Sequence, residues 1–379
     1  MPFYQGFKRE RSLKMKVVFP VWRFTRSGGM KVISKLCDLL QQRGIETIII
    51  TYYKASNIYY EINVPVVYVG MNGKSRDRVV DEETAKTKFF LFADMIKRFV
   101  SLKNGLNQIS NEYNIAIATY NLSAYSVACS KVAKKFYYIQ LYEASEIPRK
   151  GYHWIFDQIV KKTYKLDLIR IVNADIYKEY KEIKARYVLP PGIDLNMFYP
   201  KKIWWDEKRK FIIGCIGRKE PWKGSADVAS AVKLLRNKGI EVDFKVAFNK
   251  VDCDAYELIC ADGPEQLASF YRGVDVLVAP GTIQLGAVHY PVIEAMACGT
   301  PVITTGYYPA NNSNAYIVPV SKPQAIADTI EHIMKYYDEA REKTFQALKD
   351  VKVFNWENIA SSLISIINEN VEEKNDNAK

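Results

Sequence analysis

Two runs of alternating strand and helix signals, separated by a stiff proline-rich turn, predict an α/β chain of two parallel-sheet domains. The first run alternates β-branched strand segments with helix-period segments between residues 16 and 172. The turn is Tyr187-Val-Leu-Pro190-Pro191-Gly192-Ile193-Asp194-Leu-Asn-Met-Phe198-Tyr-Pro200, whose prolines and glycine stop regular structure. The alternation then restarts at residue 211. Parallel strands need helical crossovers, so each sheet should be covered on both faces.

In the first half, residues 16–19 read as a strand stopped by Pro20, and Thr25-Arg-Ser-Gly28-Gly29 turns into a helix over 30–43. Val32, Ile33, Leu36, Leu39 and Leu40 share one face of that helix, and Gly44 ends it. Residues 46–52, 66–69, 115–118, 136–141 and 168–172 read as further strands. In the second half the order is strand 211–216, helix 227–238, strand 242–248, helix 265–271, strand 274–278, helix 294–298 and strand 301–304. Phe354-Asn-Trp356-Glu357 opens a final helix, followed by a polar tail from Asn368.

The chain has 379 residues, enough for two domains with separate cores. Lys and Arg number 54 against 42 Asp and Glu, a net charge of +12 that favours anionic partners or simply solvates the surface. No basic stripe interleaved with aromatics appears, so nucleic acid is not an expected partner. The six cysteines are scattered without a C-x-x-C pair, which fits a reducing cytoplasm and implies no metal site. No signal-length apolar run follows Met1 to Lys16, and residues 1–14 read as a basic extension before the first strand. Residues 84–106 gather aromatics with Lys86, Lys88, Lys97, Arg98 and Lys103; such a helix either lies on a membrane or packs on its own sheet.

The chemistry concentrates in the second half. Gly217, Arg218, Lys223 and Gly224 follow a strand at its carboxyl end, where open α/β sheets bind ligands. Arg218 offers a fork to phosphate oxygens and Lys223 a mobile point charge; otherwise both merely solvate a loop end. Glu294 is expected on the first turn of a helix, either as a favourable charge at its dipole or as acceptor for both ribose hydroxyls. The loop 280–290, with Gly286, Ala287, Val288, His289 and Tyr290, is expected to aim backbone N–H groups at phosphates. Two cations, a helix N-terminus and a carboxylate suit a diphosphate joined to a sugar with vicinal hydroxyls, which describes a nucleotide-sugar. Gly28 and Gly29 allow close backbone approach at a helix start, or serve packing alone. Gln140, Tyr142 and Glu143 follow a strand and either cap it or face an interdomain cleft.

Gly217-Arg218, Lys223-Gly224 and Glu294-Ala-Met-Ala-Cys-Gly299-Thr-Pro-Val resemble the donor domain of retaining GT-B-fold glycosyltransferases of family four. That family writes E-x7-E; Glu294 fills the second place, and Gly286 stands in the first. Gly192, Ile193, Asp194 and Phe198 are similar to its interdomain turn. Tyr138-Ile-Gln140-Leu-Tyr142-Glu143 and His289-Tyr290-Pro291-Val-Ile-Glu294 resemble rhamnosyltransferase-like members, which lack the first carboxylate and would suggest a deoxysugar donor such as a dTDP-sugar.

The resemblance implies a GT-B fold of two Rossmann-like domains, with an acceptor domain over 15–200 and a donor domain over 201–350. A C-terminal segment over 351–379 would return to the first domain. It further implies sugar transfer from a nucleotide-sugar to a glycan or lipid-linked acceptor, with retention, without a metal or cofactor, and catalysed through Arg218 and Lys223. Rival readings are an epimerase or phosphorylase of the same fold, or a catalytically silent sugar-binding protein.

Overall fold

The computed structural model describes residues 15–80, 88–146, 153–200, 204–206 and 209–376. The expected extension 1–14, Lys86, and the last residues 377–379 of the polar tail lie outside the described residues, as do the side chains of Lys88, Phe89 and Phe90. The chain divides into two compact units. One holds the described residues of Met1–Tyr138, Ile147–Ile169 and Glu369–Lys379, and the other holds Ile139–Glu146 and Arg170–Asn368.

The first unit runs β1 (Lys16–Val21), α1 (Gly28–Gln42), β2 (Glu46–Tyr52), β3 (Lys54–Ala55), β4 (Val66–Val69), β5 (Val79–Val80), α2 (Lys88–Ile109), β6 (Ile115–Ala118), α3 (Asn121–Ala128), β7 (Lys134–Ile139) and α4 (His153–Thr163). Its sheet has the order β4-β2-β1-β6-β7, every pair parallel. Helix α1 buries Val32, Ile33, Leu36, Leu39 and Leu40, the face expected from their period. It starts earlier than expected because Ser27 caps it, accepting a bond from the Met30 N–H at 3.4 Å. Gly28 and Gly29 therefore sit inside the first turn.

Helix α2 bears on the two readings of the segment 84–106. Arg98, one of its cations, is only 1% exposed, as packing on its own sheet requires. Its Nε donates to Asp94 at 2.7 Å, and its guanidinium lies 5.2 Å from the Tyr52 ring centroid. A buried charge needs such partners, and they turn this side chain inward. Phe92, Ile96 and Lys97 are exposed on the same helix. No described helix is long and apolar enough to cross a membrane.

The second unit opens with the short parallel pair β8 (Ile169–Val172) and β9 (Tyr187–Val188). It continues β10 (Phe211–Gly217), α5 (Ser225–Asn237), β11 (Val242–Phe248), β12 (Glu257–Ile259), α6 (Pro264–Arg272), β13 (Val276–Ala279), α7 (Tyr290–Ala297), β14 (Val302–Thr304), β15 (Tyr316–Ile317), α8 (Pro323–Lys335), α9 (Tyr337–Asp350) and α10 (Trp356–Asp376). The sheet order is β12-β11-β10-β13-β14-β15, again all parallel.

Alternation along the strands feeds two cores. Ile216, Leu277 and Ala279 join Tyr271 of α6 and Ile293 of α7, while Ile213, Cys215, Val276 and Val278 join Val232 of α5 and Ile330 of α8. The sheet is thus covered on both faces. Buried Asp275 fixes the starts of β10 and β13. It accepts two bonds from Arg209 at 2.6 and 2.7 Å and one from the Ile212 N–H at 2.8 Å.

The predicted turn at 187–200 ends against α10. A Cβ on Gly192 would stand 2.4 Å from the Trp356 ring, so only glycine fits there. The Ile193 N–H donates to the Phe354 carbonyl at 2.8 Å.

Candidate active site

The site residues collect at the carboxyl ends of β10 and β13, and the loops there meet without Cβ atoms between them. A Cβ on Gly217, the last residue of β10, would stand 1.8 Å from the Asn249 carbonyl oxygen. One on Gly224 would stand 2.0 Å from the Pro280 carbonyl oxygen, and Gly224 has φ +75. Hydrogen bonds complete the assembly. Asn249 Nδ2 donates to the Gly217 carbonyl at 3.1 Å, and the Thr282 N–H donates to the Trp222 carbonyl at 2.9 Å. Ser225 Oγ donates to the Arg218 carbonyl at 3.1 Å.

Between these fixed points Arg218 and Lys223 project, the first exposed and the second half-buried. No carboxylate pairs with Arg218 among the described residues. Arg218, Lys223, Ser225, Pro280, His289 and Pro291 line one small cavity. His289 precedes α7, and its ring packs on Tyr307 with centroids 4.6 Å apart. The residue is half-buried, but its Nδ1 is enclosed and has no hydrogen-bond partner. Burial first, then the charges of Lys223 and Arg218, hold its pKa well below the ordinary histidine value.

Glu294 departs from expectation. Helix α7 begins at Tyr290 with Pro291 in its first turn, so Glu294 sits on the second turn. It is 3% exposed, and its Oε2 accepts a bond from the Tyr271 hydroxyl at 3.0 Å. Burial, with this carboxylate beside it, pushes the Tyr271 phenol well up. Past Ala297 the helix closes on Gly299 at φ +71, where Thr300 N–H donates to Ala295 and Gly299 N–H to Met296.

Part of the backbone of loop 280–290 is bonded within the protein. The Gly286 N–H donates to Gly306 at 2.8 Å and the Ala287 N–H to Gln284 at 3.0 Å. Val288 bridges to Tyr308, and the Val292 N–H donates to the His289 carbonyl at 3.0 Å. Pro291 has no N–H. These bonds hold the loop and helix start together beside Arg218 and Lys223.

Gln284, which carries no periodic signal in the sequence, ties the loop to the segments at 139–146 and 175–182. Its Oε1 accepts from the Tyr142 N–H at 3.3 Å and from the Tyr177 hydroxyl at 2.6 Å. Tyr142 also donates its hydroxyl to Glu182 and stacks on Tyr180 at 4.1 Å. Gln140 accepts from Asn173 Nδ2 through its carbonyl, and Glu143 starts a short 3-10 turn. Gly28 and Gly29 belong to the other unit.

Residues 210–336 match the family model of glycosyl transferases group 1. Among curated relatives, a D-inositol 3-phosphate glycosyltransferase of Arthrobacter sp. (strain FB24) is 31% identical over 142 residues, covering 31% of this chain and 33% of the relative. The chain spans a third to a half of the length of the curated relatives it matches first, 33%, 49% and 48%. Among solved structures, a sucrose-phosphate synthase from Thermosynechococcus elongatus superposes with a TM-score of 0.73 at 16% identity, covering 94% of this chain and 98% of the other. Anabaena HepE in complex with UDP and glucose gives a TM-score of 0.65 at 13% identity over 93% and 99% of the two chains. These likenesses are to proteins of the GT-B fold, and this chain has that fold.

Two expectations follow from the geometry. Gly286 has φ +88, and a Cβ there would stand 3.3 Å from the Ile176 Cβ. Gly286→Glu should therefore lower stability by about 1–3 kcal/mol without raising activity. Denaturant unfolding and an activity panel check this, and greater activity in the variant would contradict it. His289 gives the second. The unfolded chain takes up a proton there below about pH 6.5, whereas the folded chain resists it, so stability is lost as pH falls beneath that value. His289→Gln should flatten this part of the stability profile, by at most about 1.4 kcal/mol per pH unit. An unchanged slope in denaturant titrations between about pH 7.5 and 5.5 would contradict it.

Proposed function

We propose, for a chain whose residues 210–336 match the family model of glycosyl transferases group 1 and whose fold is GT-B, that it transfers a sugar from a nucleotide-sugar to an acceptor. The observation that carries this reading is the convergence of Arg218, Lys223 and His289 on one cavity at the carboxyl edge of the second sheet. The donor would place its diphosphate against Arg218 and Lys223. As the bond from the sugar C1 to its leaving oxygen stretches, negative charge grows on that oxygen, and fixed cations stabilise it without solvent reorganisation. His289, held neutral, adds no charge to the pair.

Glu294 would accept the ribose hydroxyls, with its carboxylate oriented by Tyr271. Gly217, Ala287, Val288 and Tyr290 would form the donor-facing backbone and wall. In this reading transfer proceeds with retention: the departing phosphate takes the proton of the acceptor hydroxyl as that oxygen bonds to C1, and no protein nucleophile or metal ion takes part. Gln140, Tyr142 and Glu143 are assigned to the acceptor side, and the acceptor is taken to be a glycan or a lipid-linked sugar. A deoxysugar donor of the dTDP type would accord with Gly286 in place of a carboxylate.

Transfer or slow hydrolysis measured across UDP-, GDP-, ADP- and dTDP-sugars tests this. Arg218→Ala and Lys223→Ala should each reduce the rate by roughly 100- to 1,000-fold. Activity within a few-fold of wild type in both variants would overturn the assignment.

A further inference from the structure

The end of strand β11 carries a feature that neither packing nor the cation site explains. Phe248, its last residue, has φ +74, in the left-handed region. Glycine or asparagine occupies that region at little cost, whereas a bulky aromatic is strained there. The residue is nevertheless 42% exposed, so the strain is not offset by burial in a core. An exposed phenylalanine alone would be ordinary surface. A strained one at the ligand-binding edge of a parallel sheet is not, because backbone strain persists where surrounding contacts impose it and clusters at functional sites.

Those contacts are identifiable. Gly217 and Phe248 are register partners on adjacent parallel strands, which sit roughly 5 Å apart. The next residue, Asn249, presses its carbonyl against the Cα of Gly217 and donates its side-chain amide to the Gly217 carbonyl. The chain must therefore turn at Phe248, beside the residue that precedes Arg218. An exposed aromatic residue is thus held by an imposed backbone next to the cations assigned to a diphosphate. The group that follows a diphosphate in a nucleotide and offers a flat π-face is its base.

We propose that Phe248 is a platform on which the base of the nucleotide stacks, an inference that rests on the donor-binding reading above. Stacking of this kind tolerates any base, since every base has a π-face. Phe248 would then add affinity for the nucleoside part and leave discrimination among bases to edge contacts.

Isothermal titration of the full chain with UDP, ADP, GDP and dTDP, and with inorganic pyrophosphate as a probe lacking a base, tests the proposal. Phe248→Gly and Phe248→Asn both relieve the left-handed strain and should melt no lower than wild type. For the nucleoside diphosphate that wild type binds best, both should bind on the order of 10- to 100-fold more weakly. Phe248→Trp should stay within a few-fold of wild type, and pyrophosphate affinity should be the same in all. Unchanged nucleoside diphosphate affinity in the Gly and Asn variants would overturn the inference and leave the donor reading intact. Lower melting temperatures, or an equal loss of pyrophosphate affinity, would make Phe248 a packing group and also overturn it. Failure of wild type to bind any of these probes would overturn the donor reading, and this inference with it.

Discussion

The candidate site depends on two close approaches that only glycine permits. At Gly217 the Asn249 carbonyl, and at Gly224 the Pro280 carbonyl, occupy space that a Cβ would fill. Together they bring the loops after β10, β11 and β13 into contact at the carboxyl edge of one sheet. Everything that bears chemistry follows from this. Arg218 and Lys223 are carried on the loop between the two glycines, and Phe248 immediately precedes the residue that closes on Gly217. The interior of the unit supplies the rigid base, since the strands alternate between two cores and leave little freedom to their ends.

Electrostatics gives the site its sign. A helix N-terminus with N–H groups directed at an anion would add to the cations, and part of the loop backbone here, the Gly286 and Ala287 N–H groups, is already bonded within the protein. Side-chain cations therefore carry a large share of the positive field. A protonated histidine between them would add a third charge, and burial prevents it. The buried Glu294 is the countervailing group, kept in place by the Tyr271 hydroxyl deep in the apolar face of the sheet.

Much of this was legible in the sequence, and the reasons are specific. Strand and helix periods located both sheets, because parallel strands buried on two faces read as apolar runs. The Gly217-Arg218 and Lys223-Gly224 pairs marked the cation loop, since glycine punctuates a strand end that must approach other backbone. Helix starts were misjudged where capping won over periodicity: Ser27 moved one start forward, and Pro291 moved another enough to shift Glu294 by a turn. The two readings of the helix carrying Arg98 stayed open because composition along a helix does not reveal that Asp94 and Tyr52 wait on its inner side. Gln284, Asn249 and the strained Phe248 could not be read at all, because their contacts join segments distant in sequence. Gly286 looked like a missing carboxylate; its φ of +88 indicates a backbone shaped around glycine.

The most direct test of the central claim is a crystal structure of the protein with a bound nucleoside diphosphate. The account expects phosphate oxygens within hydrogen-bonding distance, about 2.7–3.2 Å, of the Arg218 guanidinium and the Lys223 ammonium, with the Gly286 and Ala287 N–H groups still bonded within the protein. A diphosphate seated instead on those N–H groups, with Arg218 and Lys223 turned away, would contradict it.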